Sequence, residues 1–321
     1  MATRMKLWVG IGACVLVGTG QTAAADASDP FQPVTTATST QLLAHGGEGS
    51  EGGETSHGGE GGEASHGGEG GEAGHGGEGG EGGEAGALSH LGGGEGGEGG
   101  EGSASAPAAV NSPGVYYATL LFMKGHLWVA EELYTSGNTE IGSAHMGHPY
   151  AEHFDSVEDA LEERGVTGIH DALEHLAEEA GSQPDWSALE PAYQEAQSAI
   201  DRAIASLDPS LREDPDFIAD VALGVLRKAA HEYEEAISDG EFVNVVEYHD
   251  GRGFAHVTRK LLEDHADVLK AADADTYETL LADVDRILEA WPSAMPPEKP
   301  AVSTSELAGN VSRFELHANN L

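Results

Sequence analysis

The chain offers almost no thiol chemistry. Its one cysteine, Cys14, lies in an N-terminal apolar run. Downstream of it a disulfide, a thiolate metal site and a cysteine nucleophile are all excluded. A metal would have to be held by His, carboxylate, Tyr or water, donors that suit iron, manganese, zinc or Cu(II) better than Cu(I). Basic residues are scarce too: 15 Lys and Arg stand against 56 Asp and Glu, a formal net charge of -41. Such a surface repels nucleic acid and anionic lipid and attracts cations, so no nucleic-acid partner is expected. The same charge also serves solubility or a high-salt habitat. After the N-terminus no apolar run is long enough to span a bilayer, so the mature chain is expected to have no transmembrane segment. Nucleophile elbow, P-loop, dinucleotide fingerprint and HExxH helix are all missing, and the expectation is a protein that is not an enzyme.

At the N-terminus, Arg4 and Lys6 precede an apolar run from Leu7 to Gly20, and Ala23-Ala24-Ala25 follow. That is the layout of a signal peptide over residues 1–25, which predicts a periplasmic or secreted protein. Ile11-Gly12-Ala13-Cys14 also reads as a lipobox, the alternative being a lipoprotein anchored at Cys14. Residues 26–112 form an acidic Gly/Glu/His tract in which HGGEGGEAS or a close variant recurs around His45, His57, His66, His75 and His90. With almost no apolar side chains to bury, such a tract cannot offset its ordering entropy and is expected to be disordered. It reads as a solvated tether, or as an arm that collects divalent cations loosely through spaced imidazoles and carboxylates.

Residues 113–292 carry helical periodicity, about 180 positions and enough for one core. Tyr116, Leu120, Met123, Leu127, Ala130 and Tyr134 recur at helical spacing. Asp214-Pro215 pairs an N-cap acid with proline at the first helical position, and Asn244 with Glu247 reads as a capping box. Pro191 is tolerable only in the first turn of a helix that starts at Asp185. Asp275 with Glu278 is expected to open the last long helix. No segment alternates as a strand does. The fold class is all-α, an antiparallel helical bundle, followed by a flexible tail over 293–321 holding at most one short helix.

Several polar residues fall on or beside the apolar stripes. Glu247, Asp250 and His265 share the stripe of Phe254, Val257 and Leu261; Glu232 lies in the face of Ile218, Ala222, Val225, Ala229 and Tyr233; His126 sits between Met123 and Leu133. A carboxylate facing inward needs a partner, and a cation shared between helices is one solution. Local partners are the other: Asn244 for Glu247, and Arg252, Arg227 or Lys228 for Asp250 and Glu232. The run His145-Met146-Gly147-His148-Pro149, with His153 beyond, is the densest histidine cluster and is placed in a loop entering a helix. The candidate metal ligands are thus His126, His145, His148, His153, Glu232, Glu247 and Asp250. His170, His175, His249 and His256 project away from the stripes and read as surface residues, while His265 reads as packed late in its helix.

The stretch from Glu232 to Phe254, EYEEAISDGEFVNVVEYHDGRGF, resembles the periplasmic helical regions attached to Ftr-type bacterial iron permeases. More loosely, the arrangement is similar to the imelysin-type bundles of Efe-like iron-uptake systems. The chain lacks the R-E-x-x-E motifs of the permease itself, and after Gly125 and His126 it lacks the Glu of G-x-H-x-x-E. Glu232, Tyr233, Glu247 and Tyr248 carry over as the acidic and tyrosyl positions. The resemblance implies a metal-binding accessory protein of iron uptake or handling, binding iron without turnover, with an inner-membrane iron permease as partner. The alternatives are a structural or interaction protein of the cell envelope with the tract as spacer, and third a metal-dependent hydrolase.

Overall fold

A computed structural model describes Leu88 and residues 106–321. The expected signal peptide, Cys14 and most of the Gly/Glu/His tract lie outside the described residues.

The fold is all-α, as the periodicity predicts. Two four-helix units share it. The first is built from α2 (Pro113–Thr135), α3 (Thr139–His148), α5 (Ile169–Gly181) and α6 (Trp186–Ala205), each touching the next and α6 returning to α2. A short α1 (Ala106–Asn111) packs on α2 and on α4 (Phe154–Glu163). The second unit follows the short α7 (Pro209–Arg212). It consists of α8 (Pro215–Glu235), α9 (Val245–Asp264), α11 (Ala274–Leu288) and α12 (Thr304–Ala318), again closed into a ring, with α10 (Ala266–Ala272) between α9 and α11. Helix α2 joins the units by packing on α8 and α9. That position explains its composition: α2 is buried nearly all round, from Val115 to Tyr134, and a helix with no solvent face has little use for charge.

Two of the caps, at Asp214 and Asn244, are those the sequence signals, and Ser112 adds one that it did not single out. Ser112 Oγ accepts the Val115 N–H at 3.1 Å with Pro113 behind it, and Asp214 Oδ1 accepts those of Asp216 and Phe217. Asn244 Oδ1 accepts the Val246 N–H at 3.1 Å.

Five expectations are revised. Folded structure begins before residue 113, because α1 packs on its neighbours and Leu88 is buried with its side chain against Gly224. Pro191 lies inside α6, beyond the first turn; its position and Ser187 are both exposed, so water can satisfy the Ser187 carbonyl that Pro191 leaves without a donor. Although no segment of the sequence alternates as a strand does, a short hairpin follows α8 and turns on Asp239 (φ 53°) and Gly240 (φ 80°). They form a two-residue turn that pairs β1 (Ile237–Ser238) with β2 (Glu241–Phe242), the left-handed backbone that a tight hairpin requires. The helix expected to open at Asp275, α11, is capped by Asp273, whose carboxylate accepts the Thr276 N–H. The segment 293–321 is not loose: α12 is capped by Ser303 and buries Leu307, Val311 and Phe314 against α8 and α11.

Candidate metal centre

The site forms where the two units meet, and glycine sets the distance there. A Cβ on Gly253 of α9 would stand 2.8 Å from the carbonyl carbon of Gly125 in α2, and one on Gly125 would stand 2.6 Å from Phe254 Cδ1. The backbones of α2 and α9 therefore touch. The neighbours of these glycines, His126 on α2 and Asp250 on α9, are brought into direct contact. Gly142 does the same for α3, where a Cβ would meet Ala130 O of α2 at 2.8 Å.

Asp250 is fully buried, and three imidazoles converge on its Oδ1. His126 Nδ1 lies at 2.8 Å, His145 Nδ1 at 3.0 Å and His148 Nδ1 at 3.8 Å. On the other side of the same ring, His126 Nε2 lies 2.8 Å from His153 Nε2 and 3.6 Å from Glu152 Oε2. Two sets of potential ligands thus share His126: one with His145, His148 and Asp250, the other with Glu152 and His153, each with its donor atoms within 4.8 Å of one another. Outside them, His249 Nδ1 meets His145 Nε2 at 3.1 Å. Phe122 and Phe254 form an apolar wall, their rings 4.9 Å apart, with Phe122 beside His153 and Phe254 edge-on to His126.

Burial raises the pKa of Asp250, but the adjacent His126 and His145 outweigh it and hold the carboxyl well below the usual range. Burial lowers the pKa of His145 against the pull of Asp250. It lowers that of His153 strongly, helped by the charges of His126 and Lys228. Near neutral pH the site therefore presents an ionised Asp250 with neutral imidazoles at His145 and His153, the protonation states that ligate a cation. Polar atoms in it are left without hydrogen bonds: His148 Nδ1, His153 Nδ1 and Asp250 Oδ2. Metal–nitrogen and metal–oxygen bonds of about 2.0–2.2 Å place neighbouring ligand atoms about 2.9 to 3.4 Å apart. The closest pairs already stand near that spacing, and His148 and Glu152 would close by a few tenths of an ångström.

Of the residues singled out in the sequence, His126, His145, His148, His153 and Asp250 come together. Glu232 and Glu247 do not join them. Glu232 is buried in an ion pair with Lys228, one turn earlier on α8. Glu247 Oε1 accepts from Asn244 Nδ2 at 3.1 Å at the start of α9. The four positions carried by the resemblance hold the fold together: besides these two contacts, the Tyr233 hydroxyl donates to Val302 O and that of Tyr248 to Ser293 O, tying down the segment that leads into α12.

Two residues around the site were not found in the sequence. His249 reads as a surface residue but is fully buried, because α9 is enclosed on several sides here. Glu152 passes unnoticed although it stands at i+4 from His148. The segment holding both is helical rather than a loop: α3 runs through His148 into a π turn, Pro149–His153, whose wider winding lets His148, Glu152 and His153 all face α2. His256 also departs from a surface reading, its ring stacked on Trp128 at 3.9 Å.

Among curated proteins and solved structures nothing matches the chain. Residues 208–320, the second four-helix unit with α7, match the iron permease-associated 4-helix bundle domain, the family to which the resemblance of Glu232 to Phe254 points.

Proposed function

We propose that this protein is a periplasmic accessory of iron uptake that binds iron at the His126–Asp250 centre and delivers it to an inner-membrane permease without catalytic turnover. The observation that carries the reading is the convergence of three imidazoles on one buried carboxylate. A charge is not placed in a core without compensation, and the hydrogen bonds within the cluster leave several donor atoms unused. The permease-associated domain supports a role in iron uptake, and the mixed nitrogen and oxygen donor set suits ferrous iron. Cu(II) would bind such a set more tightly in a test tube, as the order of divalent affinities requires. Iron selectivity would then rest on supply rather than on the site.

The test is an anaerobic titration of ferrous iron into the full chain with His45, His57, His66, His75 and His90 changed to Gln, so that the tract cannot contribute imidazoles. The expected result is about one tightly held ion per chain and a Tm raised by several degrees, because the ion binds the native state alone. Both effects should vanish in His126→Gln. Iron retained equally by that variant would remove the centre from the function, and no retained iron would favour the envelope-spacer role.

A further inference from the structure

His126 is placed to serve two ligand sets with one ring. Its Nδ1 faces Asp250 and His145, and its Nε2 faces His153 and Glu152. A neutral imidazole carries one N–H and one lone pair, so it can offer a metal one nitrogen at a time. The surroundings accommodate the proton on either side. With the ion at Nε2, the Nδ1–H donates to Asp250 Oδ1 at 2.8 Å. With the ion at Nδ1, the proton sits on Nε2 and donates to His153 Nε2, also at 2.8 Å. The ring keeps one proton in both states, and that proton moves to the nitrogen the ion leaves.

The two sets differ in access. Asp250, His126 and His145 have at most 1 % of their side-chain surface exposed, His148 has 15 %, and Glu152 is the most open of the ligands at 24 %. His148 bridges them, its Nδ1 lying 3.6 Å from Glu152 Oε1 and 3.8 Å from Asp250 Oδ1. We propose that a single cation has two alternative stations on His126, an outer one at Nε2 with His153 and Glu152, and an inner one at Nδ1 with His145, His148 and Asp250. This inference rests on the metal-binding reading and gives it a direction. The ion enters beside the partly exposed Glu152 and settles at Asp250, and release retraces the path.

Cobalt(II) is a suitable probe, since its visible absorption reports the number and kind of ligands. Stoichiometry and spectrum would be recorded on the full chain with the five tract histidines changed to Gln. The unaltered centre is expected to hold one cobalt ion and no second. The outer variant, His153→Gln with Glu152→Gln, should still hold one ion, with an inner-station spectrum. The inner variant Asp250→Asn should also hold one, with a different spectrum and weaker affinity. His145→Gln replaces it if Asp250→Asn fails to fold by circular dichroism. His126→Gln should hold none. Two ions in the unaltered centre would overturn the alternation, and complete loss in a folded outer or inner variant would reduce the stations to one. An unaltered centre that holds no cobalt defeats the metal-binding reading itself, a result distinct from either.

Discussion

At the scale of single residues, partners rather than faces decide what a buried polar group does. Glu232 and Asp250 look equivalent on a helical wheel, both acidic and both inward. Glu232 meets Lys228 on its own helix, while Asp250 meets histidines from two other helices. Sequence periodicity shows the direction of a side chain but not what waits there. His256 shows the same. Burial, then the charge of Arg252, lowers its pKa to about 4, with Glu132 opposing and Arg259 adding to the shift. The unfolded chain binds a proton at this residue below about pH 6.5, the folded chain only below about pH 4. Its contribution to stability is therefore intact above about pH 6.5 and is lost as pH falls toward 4. Melting temperatures measured from pH 7 to 4.5 should decline, and His256→Gln, compared with the parent, should flatten that decline. An identical slope in the variant would assign the acid sensitivity to other groups.

At the scale of elements, close helix approach positions the centre. The Gly125–Gly253 crossing holds α2 against α9, and Arg252 reinforces it by gripping Glu132 with two hydrogen bonds of 2.8 and 2.7 Å while also reaching Trp291 O. In Gly253→Ala the new methyl would force the two backbones apart. The expected cost is about 1–3 kcal/mol, the range for overpacking. Denaturant unfolding would measure it, and His126 would lose Asp250, so iron affinity should fall well beyond what the stability loss explains. A folded variant with normal affinity would show that the crossing does not set the site's geometry. Much at this scale was legible beforehand: the caps at Asp214 and Asn244 are local chemistry, and the histidine run from His145 was visible by density alone. What escaped depends on contacts distant in sequence. α12 is stabilised by packing on α8 and α11, its own periodicity being weak, and the π turn that brings Glu152 inward leaves no pattern in residue types.

At the scale of the whole molecule, the acidic excess and the folded core make separate contributions. Charge draws cations to the surface, so the rate of iron capture should fall as ionic strength rises from low salt to about 0.5 M, while a buried ion, once seated, is screened little. Stopped-flow mixing against dissociation into a chelator would separate the two rates; equal salt sensitivity in both would place the ion near solvent. The core, for its part, reaches into the region that composition alone assigns to a tether. Leu88 is 1 % exposed, surrounded in sequence by glycine, glutamate and small residues. Leu88→Ala should cost about 2–5 kcal/mol, as for other buried leucines. A chemical melt that does not move would detach this residue from the core.

The centre takes His126, His145 and His148 from the first four-helix unit, Glu152 and His153 from the π turn that continues its α3, and only Asp250 from the segment that matches the permease-associated family. An ion held there would be a cross-tie between two bundles that each close on themselves. Its presence should therefore register in how the protein comes apart. Stripped of metal, the chain is expected to show a broad calorimetric endotherm whose van't Hoff enthalpy falls short of the calorimetric one, because either bundle can loosen while the other persists. Saturated with iron, the same chain should melt in one sharp step with the two enthalpies equal, since neither bundle can open without giving up the ion's binding energy.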